Sequence, residues 1–308
     1  MVSKSVISCC WLSRKAAVSP EIPAPIIAIR MTAESSDVEY VSNVLEPTTL
    51  RHMKRSVKSE YWHQSRLPWP SLVFLMPMLV AYEVGVLWVG GQNSEEIRSG
   101  ADVWLRGGLD AIGLGVAWLP PLLVVLGLLV WQWVQKHPWR VSWETLAGMF
   151  AESVVFAFLL LLLGQLQSQF FSLADASNRD VLDGMKLTAA LTPTETVVLA
   201  RALGYVGAGI YEEVLFRLAL LPASIAVLRQ PVWLRGWATP LAVLATSLLF
   251  SAAHHAGPSG EPFDLFRFCF RTLAGGIFAA LFVLRGFGIT ACSHALYDLL
   301  VGVLLADG

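Results

Sequence analysis

Apolar residues in this chain neither alternate nor confine themselves to one helical face; from Leu67 onward they run on in long stretches broken by short charged, proline or glycine joints. A helix needs about 20 mostly apolar residues to cross hydrocarbon, and about seven runs approach that length. They cover Leu67 to Val89, Ala111 to Val134, Thr145 to Leu166, Thr196 to Leu221, Thr239 to His255, Leu265 to Leu284 and Ile289 to Leu305. Backbone groups in lipid must be satisfied within their own segment, which a helix does and an open strand does not. The pattern therefore predicts an all-α polytopic transmembrane helix bundle. Pro120 and Pro121, early in the second run, predict a kink there.

Before the first run the chain mixes Pro, Ser, Lys, Arg and Glu, and residues 1–60 are expected to be mostly disordered. No signal peptide is expected, because the apolar stretch Val6 to Leu12 is short and Arg14 and Lys15 follow directly; either Met1 or Met31 fits as the start. Residues 61–192 then hold three spans and residues 193–308 four. Composition agrees, with 55% hydrophobic and 15% charged residues against about 25% charged in an ordinary soluble domain. A net charge of -1 provides no basic face, and no P-loop or dinucleotide glycine motif occurs, so nucleic acid is not an expected partner. The four cysteines, Cys9, Cys10, Cys269 and Cys292, are scattered and imply neither a disulfide framework nor a zinc ribbon.

Basic joints alternate with acidic ones. Arg51, Lys54, Arg55, Lys58 and Arg66 precede the first span; Lys136 and Arg140, Arg229 and Arg235, and Arg285 mark every second joint after it. Glu95, Glu96 and Asp102, then Asp175, Asp180 and Asp183, mark the others. Positive joints stay cytoplasmic, so the expected topology is an integral protein of a bacterial-type cytoplasmic membrane with a cytoplasmic N-terminus. Trp62, Trp69, Trp131, Trp133 and Trp139 stand at span ends, where indole rings anchor at the interface. The glycines Gly204, Gly207 and Gly209 predict close helix approach within the monomer; the oligomeric state is left open.

Against this apolar background a few polar residues stand out. The fourth run contains Glu212, Glu213 and Arg217. Each charge at mid-bilayer costs roughly 2.5 to 3.5 kcal/mol on insertion scales unless paired. Glu213 and Arg217 are four apart and share a helix face, while Glu212 is turned about 100° away toward a different partner. The fifth run ends in Phe250-x-x-x-His254-His255, and the seventh carries His294 and Asp298, again four apart. Straight spans would place Glu212 and His294 from mid-depth toward the cytoplasm but His254 near the outer end. A carboxylate base, a partner for water and donors for a developing oxyanion are what hydrolysis needs, and all three residue types are present. The Gly-x-Ser-x-Gly and His-Glu-x-x-His patterns are not.

In order and spacing, Glu212-Glu213-x-x-x-Arg217, Phe250-x-x-x-His254 and His294-x-x-x-Asp298 resemble the CPBP family. These are membrane proteases related to the type II CAAX prenyl endopeptidase and to bacteriocin-processing and abortive-infection proteins. The resemblance covers about Pro193 to Leu305 and implies a catalytic core there. It implies Glu212 as general base acting with His254 on the attacking water, and His294 and Asp298 at oxyanion or transition-state contacts. Arg217 would orient the glutamate pair, with Glu213 and Phe250 supporting. Some relatives carry Asn where Asp298 stands, so Asp298 is either an orienter of His294 or a protonated acid. No cofactor is expected; if zinc were used, Glu213, His254 and His294 would be its ligands. The function expected is intramembrane endopeptidase, with a peptide or membrane-protein substrate and the lipid bilayer as partners. The alternative is a non-enzymatic immunity or partner-binding protein that keeps the cluster as structural glue, and a proton-coupled transporter stands third.

Overall fold

In the computed structural model, which describes residues 60–174, 195–257 and 260–304, the apolar runs are helices and no strand occurs among the described residues. Helix α1 is Pro68–Gly90. A short 3-10 stretch, Gly91–Glu96, leads to α2, Gly100–Ala111, whose cap is Ser99 accepting from the backbone N–H of Asp102. Helix α2 is not among the predicted spans. Helix α3 is Leu119–Gln135, so the second span begins eight residues later than expected. Pro120 and Pro121 occupy its first turn, where a missing N–H costs nothing, and they start the helix instead of kinking it.

Helix α4 is Trp143–Ala174 and runs past the predicted end of the third span. Helix α5, Glu195–Glu213, continues through a π-helical turn, Val214–Leu220, into α6, Leu221–Leu228. Helix α7 is Ala238–Ala253, α8 is Leu265–Arg285, and α9 is Phe287–Leu299, ending in a second π turn, Leu300–Leu304. Residues 1–59, the joint bearing Asp175, Asp180 and Asp183, and residues 305–308 lie outside the described residues, and with them the expected disorder of residues 1–60.

Helices α1, α4 and α8 are long and apolar enough to cross a membrane, and α3, α7 and α9 are shorter apolar helices. Along α4 the large side chains Phe150, Val155, Phe158, Leu159, Leu162 and Leu166 are exposed. Apolar faces of that extent, on helices long enough to span hydrocarbon, are those of a protein that meets lipid. The protein is an integral membrane protein.

Helix α5 sits at the centre. Ile210 and Tyr211 pack with Leu75 and Leu79 of α1, Leu128 of α3, and Phe287 and Ala291 of α9. Its glycines permit the approach: a Cβ on Gly207 would lie 2.3 Å from the Tyr82 ring, and one on Gly209 2.6 Å from the backbone N of Ala295. One residue, Gly286, joins α8 to α9 with φ +86°, and a Cβ there would stand 2.8 Å from the Arg66 Cα. Arg285 beside it is more than a topological charge. It is buried, donates to both oxygens of Glu152 at 2.7 and 2.8 Å, and lies 3.7 Å from the Trp62 ring centre.

Candidate active site

The last turn of α5 presents three consecutive side chains in three directions, as the 100° helical step requires. Tyr211 points toward α1, Glu212 into a cavity, and Glu213 toward α9. Glu213 is fully buried; its Oε1 accepts from His294 Nδ1 at 2.8 Å and ion-pairs with Arg217 at 3.1 Å. Arg217 also donates to the Gly275 carbonyl of α8 at 3.2 Å and lies 4.2 Å from the centre of the Phe250 ring. Contact with the ring face and one carboxylate offsets much of the desolvation of the guanidinium. Of the glutamate pair that Arg217 is expected to orient, Glu213 is the one it grips directly.

Helix α7 brings the second motif. His254 caps its C-terminus, with its backbone N–H bonded back to Ala252 and Ser251. Its Nδ1 donates to the Phe250 carbonyl at 2.8 Å, which leaves Nε2 facing Glu212 Oε2 at 3.7 Å. From α9, His294 places Nε2 3.9 Å from the same Glu212 oxygen and 3.4 Å from Asp298 Oδ2. Phe278 of α8 stacks on the His294 ring at 4.5 Å, and Phe250 meets it edge-on at 5.9 Å. Glu212, His254, His294 and Asp298, with Glu213, Arg217 and Phe250 behind them, thus form one cluster.

The expected mismatch in depth between His254 and Glu212 does not occur, for reasons of length. A 16-residue α7 rises only about 24 Å, short of the roughly 30 Å of hydrocarbon, so its C-terminal cap does not have to stand at the far face. The helical run 195–228 is about 50 Å long, more than the hydrocarbon is thick, so counting residues from its start misjudges the depth of Glu212.

The cluster forms part of the wall of a cavity of about 940 Å³, which Glu212, Phe250, His254, His294 and Asp298 all line. Tyr205, Phe270 and Tyr297 give it apolar walls, and Glu261, Arg267 and Arg271 line it as well. In the joint between α7 and α8, Glu261 accepts from Arg267 and Arg271 at 2.9 Å each. Arg271 first, and Arg267 with it, hold the Glu261 carboxyl below the usual glutamate range against the opposing effect of burial. Its backbone N–H bonds to the His254 carbonyl at 2.9 Å, so the ion cluster is tied to the residue that faces Glu212.

Glu213, His254 and His294 do not converge as a zinc site. Glu213 and His294 Nδ1 bind each other, His254 faces Glu212, and no group of three His, Cys, Asp or Glu among the described residues is arranged to hold a metal ion.

A second buried polar group adjoins the cluster. Glu83 of α1 contacts Arg98 at 3.3 Å and Arg106 at 3.2 Å; Asp102 pairs with Arg98 at 2.7 Å and Arg106 at 2.8 Å; Tyr82 donates to Asp102 and Tyr211 to Glu83. Asp102 belongs to this buried network and not to an acidic surface joint. Glu83 lies inside the first apolar run, and the rule that singled out Glu212, a charge within a span, applies equally to it.

Residues 194–300 match the family model described as type II CAAX prenyl endopeptidase Rce1-like. No curated protein and no solved structure gives a match. The matched stretch contains all seven residues of the cluster, from Glu212 to Asp298, so the part of the chain that carries the cluster is similar to the Rce1-like family of type II CAAX prenyl endopeptidases.

Proposed function

We propose that this protein is an intramembrane endopeptidase in which Glu212 activates a water for attack on a peptide carbonyl. The observation that carries this is the meeting of Glu212 Oε2 with the Nε2 atoms of His254 and His294, at 3.7 and 3.9 Å, on the wall of one cavity. These separations suit groups that act on a shared water better than groups bonded to each other.

His254 spends its Nδ1 proton on the Phe250 carbonyl, so a neutral His254 offers Nε2 as an acceptor beside the Glu212 oxygen. A water lying against both gives one hydrogen to each and turns a lone pair toward the cavity. Glu212 takes the water proton as the C–O bond forms, and the carbonyl electrons move onto oxygen as an oxyanion. When the C–N bond breaks, the protonated Glu212 returns that proton to the leaving amine. His294, anchored through Nδ1 to Glu213, stands with Nε2 toward this point, and Asp298 orients it from 3.4 Å.

The test is cleavage of a library of membrane-embedded reporters in liposomes by the wild type and by Glu212→Gln, each with and without chelator. Loss of about 10² to 10⁴ in rate in a folded Glu212→Gln protein, with no response to chelator, is expected. A fully active Glu212→Gln enzyme would remove Glu212 as base. Chelator sensitivity would replace this mechanism with a metal-assisted one. A folded wild type that cleaves nothing across the library would favour the partner-binding alternative.

A further inference from the structure

Two anchors fix the rotation of α5 about its own axis, one on each side of Glu212. On one side Glu213 is bonded to His294 and paired with Arg217. On the other, Tyr211 is fully buried, its hydroxyl donates to Glu83 Oε1, and its ring packs against Tyr82 with centres 5.6 Å apart. The Glu213 anchor is internal to the matched stretch 194–300, but the Tyr211 anchor comes from α1 and is held by Arg98, Asp102 and Arg106 of α2 and the joint before it. Below Glu213 the helix widens into the π turn Val214–Leu220, where i→i+5 bonding replaces the regular ladder, so the α-helical pitch does not carry the setting of Glu212 in from that end.

We propose that Tyr211, anchored by Glu83, is a positioning residue that aims Glu212 at His254 and His294, so that α1 and α2 complete a site whose reacting groups all lie in the matched stretch. The Glu83 network balances two carboxylates against two guanidinium groups, and each is buried or nearly so. Such a group is rigid because any displacement leaves a desolvated charge unpaired. Tyr211 transmits that rigidity to the next residue along. Displacements of about 1 Å at a reacting group can cost about a hundredfold in rate, which is the scale on which such an anchor matters.

The catalytic part of this inference rests on Glu212 as the base, so the experiment has two readouts. Full-length wild type, Tyr211→Phe and Glu83→Gln are compared in liposomes for kcat and KM per folded molecule. In parallel, the rate at which dicyclohexylcarbodiimide, an apolar reagent for membrane carboxyls, labels Glu212 is followed by peptide mass spectrometry. Tyr211→Phe keeps the ring and removes only the hydroxyl; Glu83→Gln keeps an acceptor oxygen and serves as the second variant should the first fail to fold. Expected for Tyr211→Phe are a kcat at least tenfold lower, a KM within twofold, and a labelling rate at Glu212 changed at least threefold. Glu83→Gln should show the same pattern to a smaller degree. Unchanged kcat per folded molecule and unchanged labelling would overturn the proposal and leave Tyr211 as packing alone. If the wild type cleaves nothing, the protease function falls, and the labelling rate still decides whether Tyr211 sets Glu212.

Discussion

Glu213 shares one carboxylate oxygen between His294 and Arg217, in a place from which water is excluded. Arg217→Met removes the guanidinium and leaves Glu213 buried with only an imidazole. Breaking a buried pair in this way costs about 3 to 5 kcal/mol, and the variant should unfold in detergent at a markedly lower temperature. The double variant Glu213→Gln with Arg217→Met strands no charge, and should recover part of that loss. If the double variant is as unstable as the single one, the pair is not what holds the three helices. Asp298 is a milder case, because an amide oxygen can also accept from His294 Nε2. Asp298→Asn should keep activity within about tenfold, while Asp298→Ala should fall toward the lower end of the range for lost acid–base assistance, about 10².

At the scale of elements, the site depends on how closely α5 approaches its neighbours and on how the end of α7 is held. Gly209 faces the α9 backbone, with the Ala291 carbonyl 2.8 Å from where a Cβ would stand. Gly209→Val must push α9, and with it His294 and Asp298, away from Glu212. The expected outcome is a fall in kcat larger than the fall in thermal stability would explain. The joint after α7 is pH-sensitive for a definite reason. Arg271 and Arg267 depress the Glu261 carboxyl, so the stability it contributes is fully present above the unfolded value of about 4.3 and is lost as pH falls through its lower folded value. Unfolding midpoints of wild type and Glu261→Gln measured down the pH scale should therefore converge at the acid end. Midpoints that stay equally far apart throughout would show that the pairs with Arg267 and Arg271 add nothing.

For the whole molecule, the alternation of basic and acidic joints predicts that the Lys136 joint and the Glu95 joint lie on opposite sides of the membrane, with Lys136 on the cytoplasmic side. In a chain whose own cysteines are replaced by serine, Lys136→Cys and Glu95→Cys should react with an impermeant maleimide from opposite faces of sealed vesicles. Labelling of both from one face would refute the topology. The site lies where α5, α7, α8 and α9 meet, and α1 and α2 brace it from the far side of α5, so its setting belongs to the bundle as a whole.

Run length alone placed the helices well, because lipid demands a long apolar segment whatever its neighbours are, and α1, α7 and α8 begin and end close to the predicted spans. It failed at α2 and at the start of α3. Gly100–Ala111 carries Asp102 and Arg106, which pair with each other, and Arg106 also reaches Glu83 of another helix. That Glu212, Glu213, Arg217, His254, His294 and Asp298 stand out as ionisable groups within apolar runs was likewise legible, since such a group is costly and has to be matched by something. Their pairing was not. That Arg217 holds Glu213 and not Glu212, that His254 reaches Glu212 from a short helix, and that Glu83 holds Tyr211 all depend on distances between segments far apart in the chain. Hydrophobicity is a property each residue brings with it, and it determined the spans from sequence alone; the partners of a buried charge are a property of packing, and only the tertiary structure decided them.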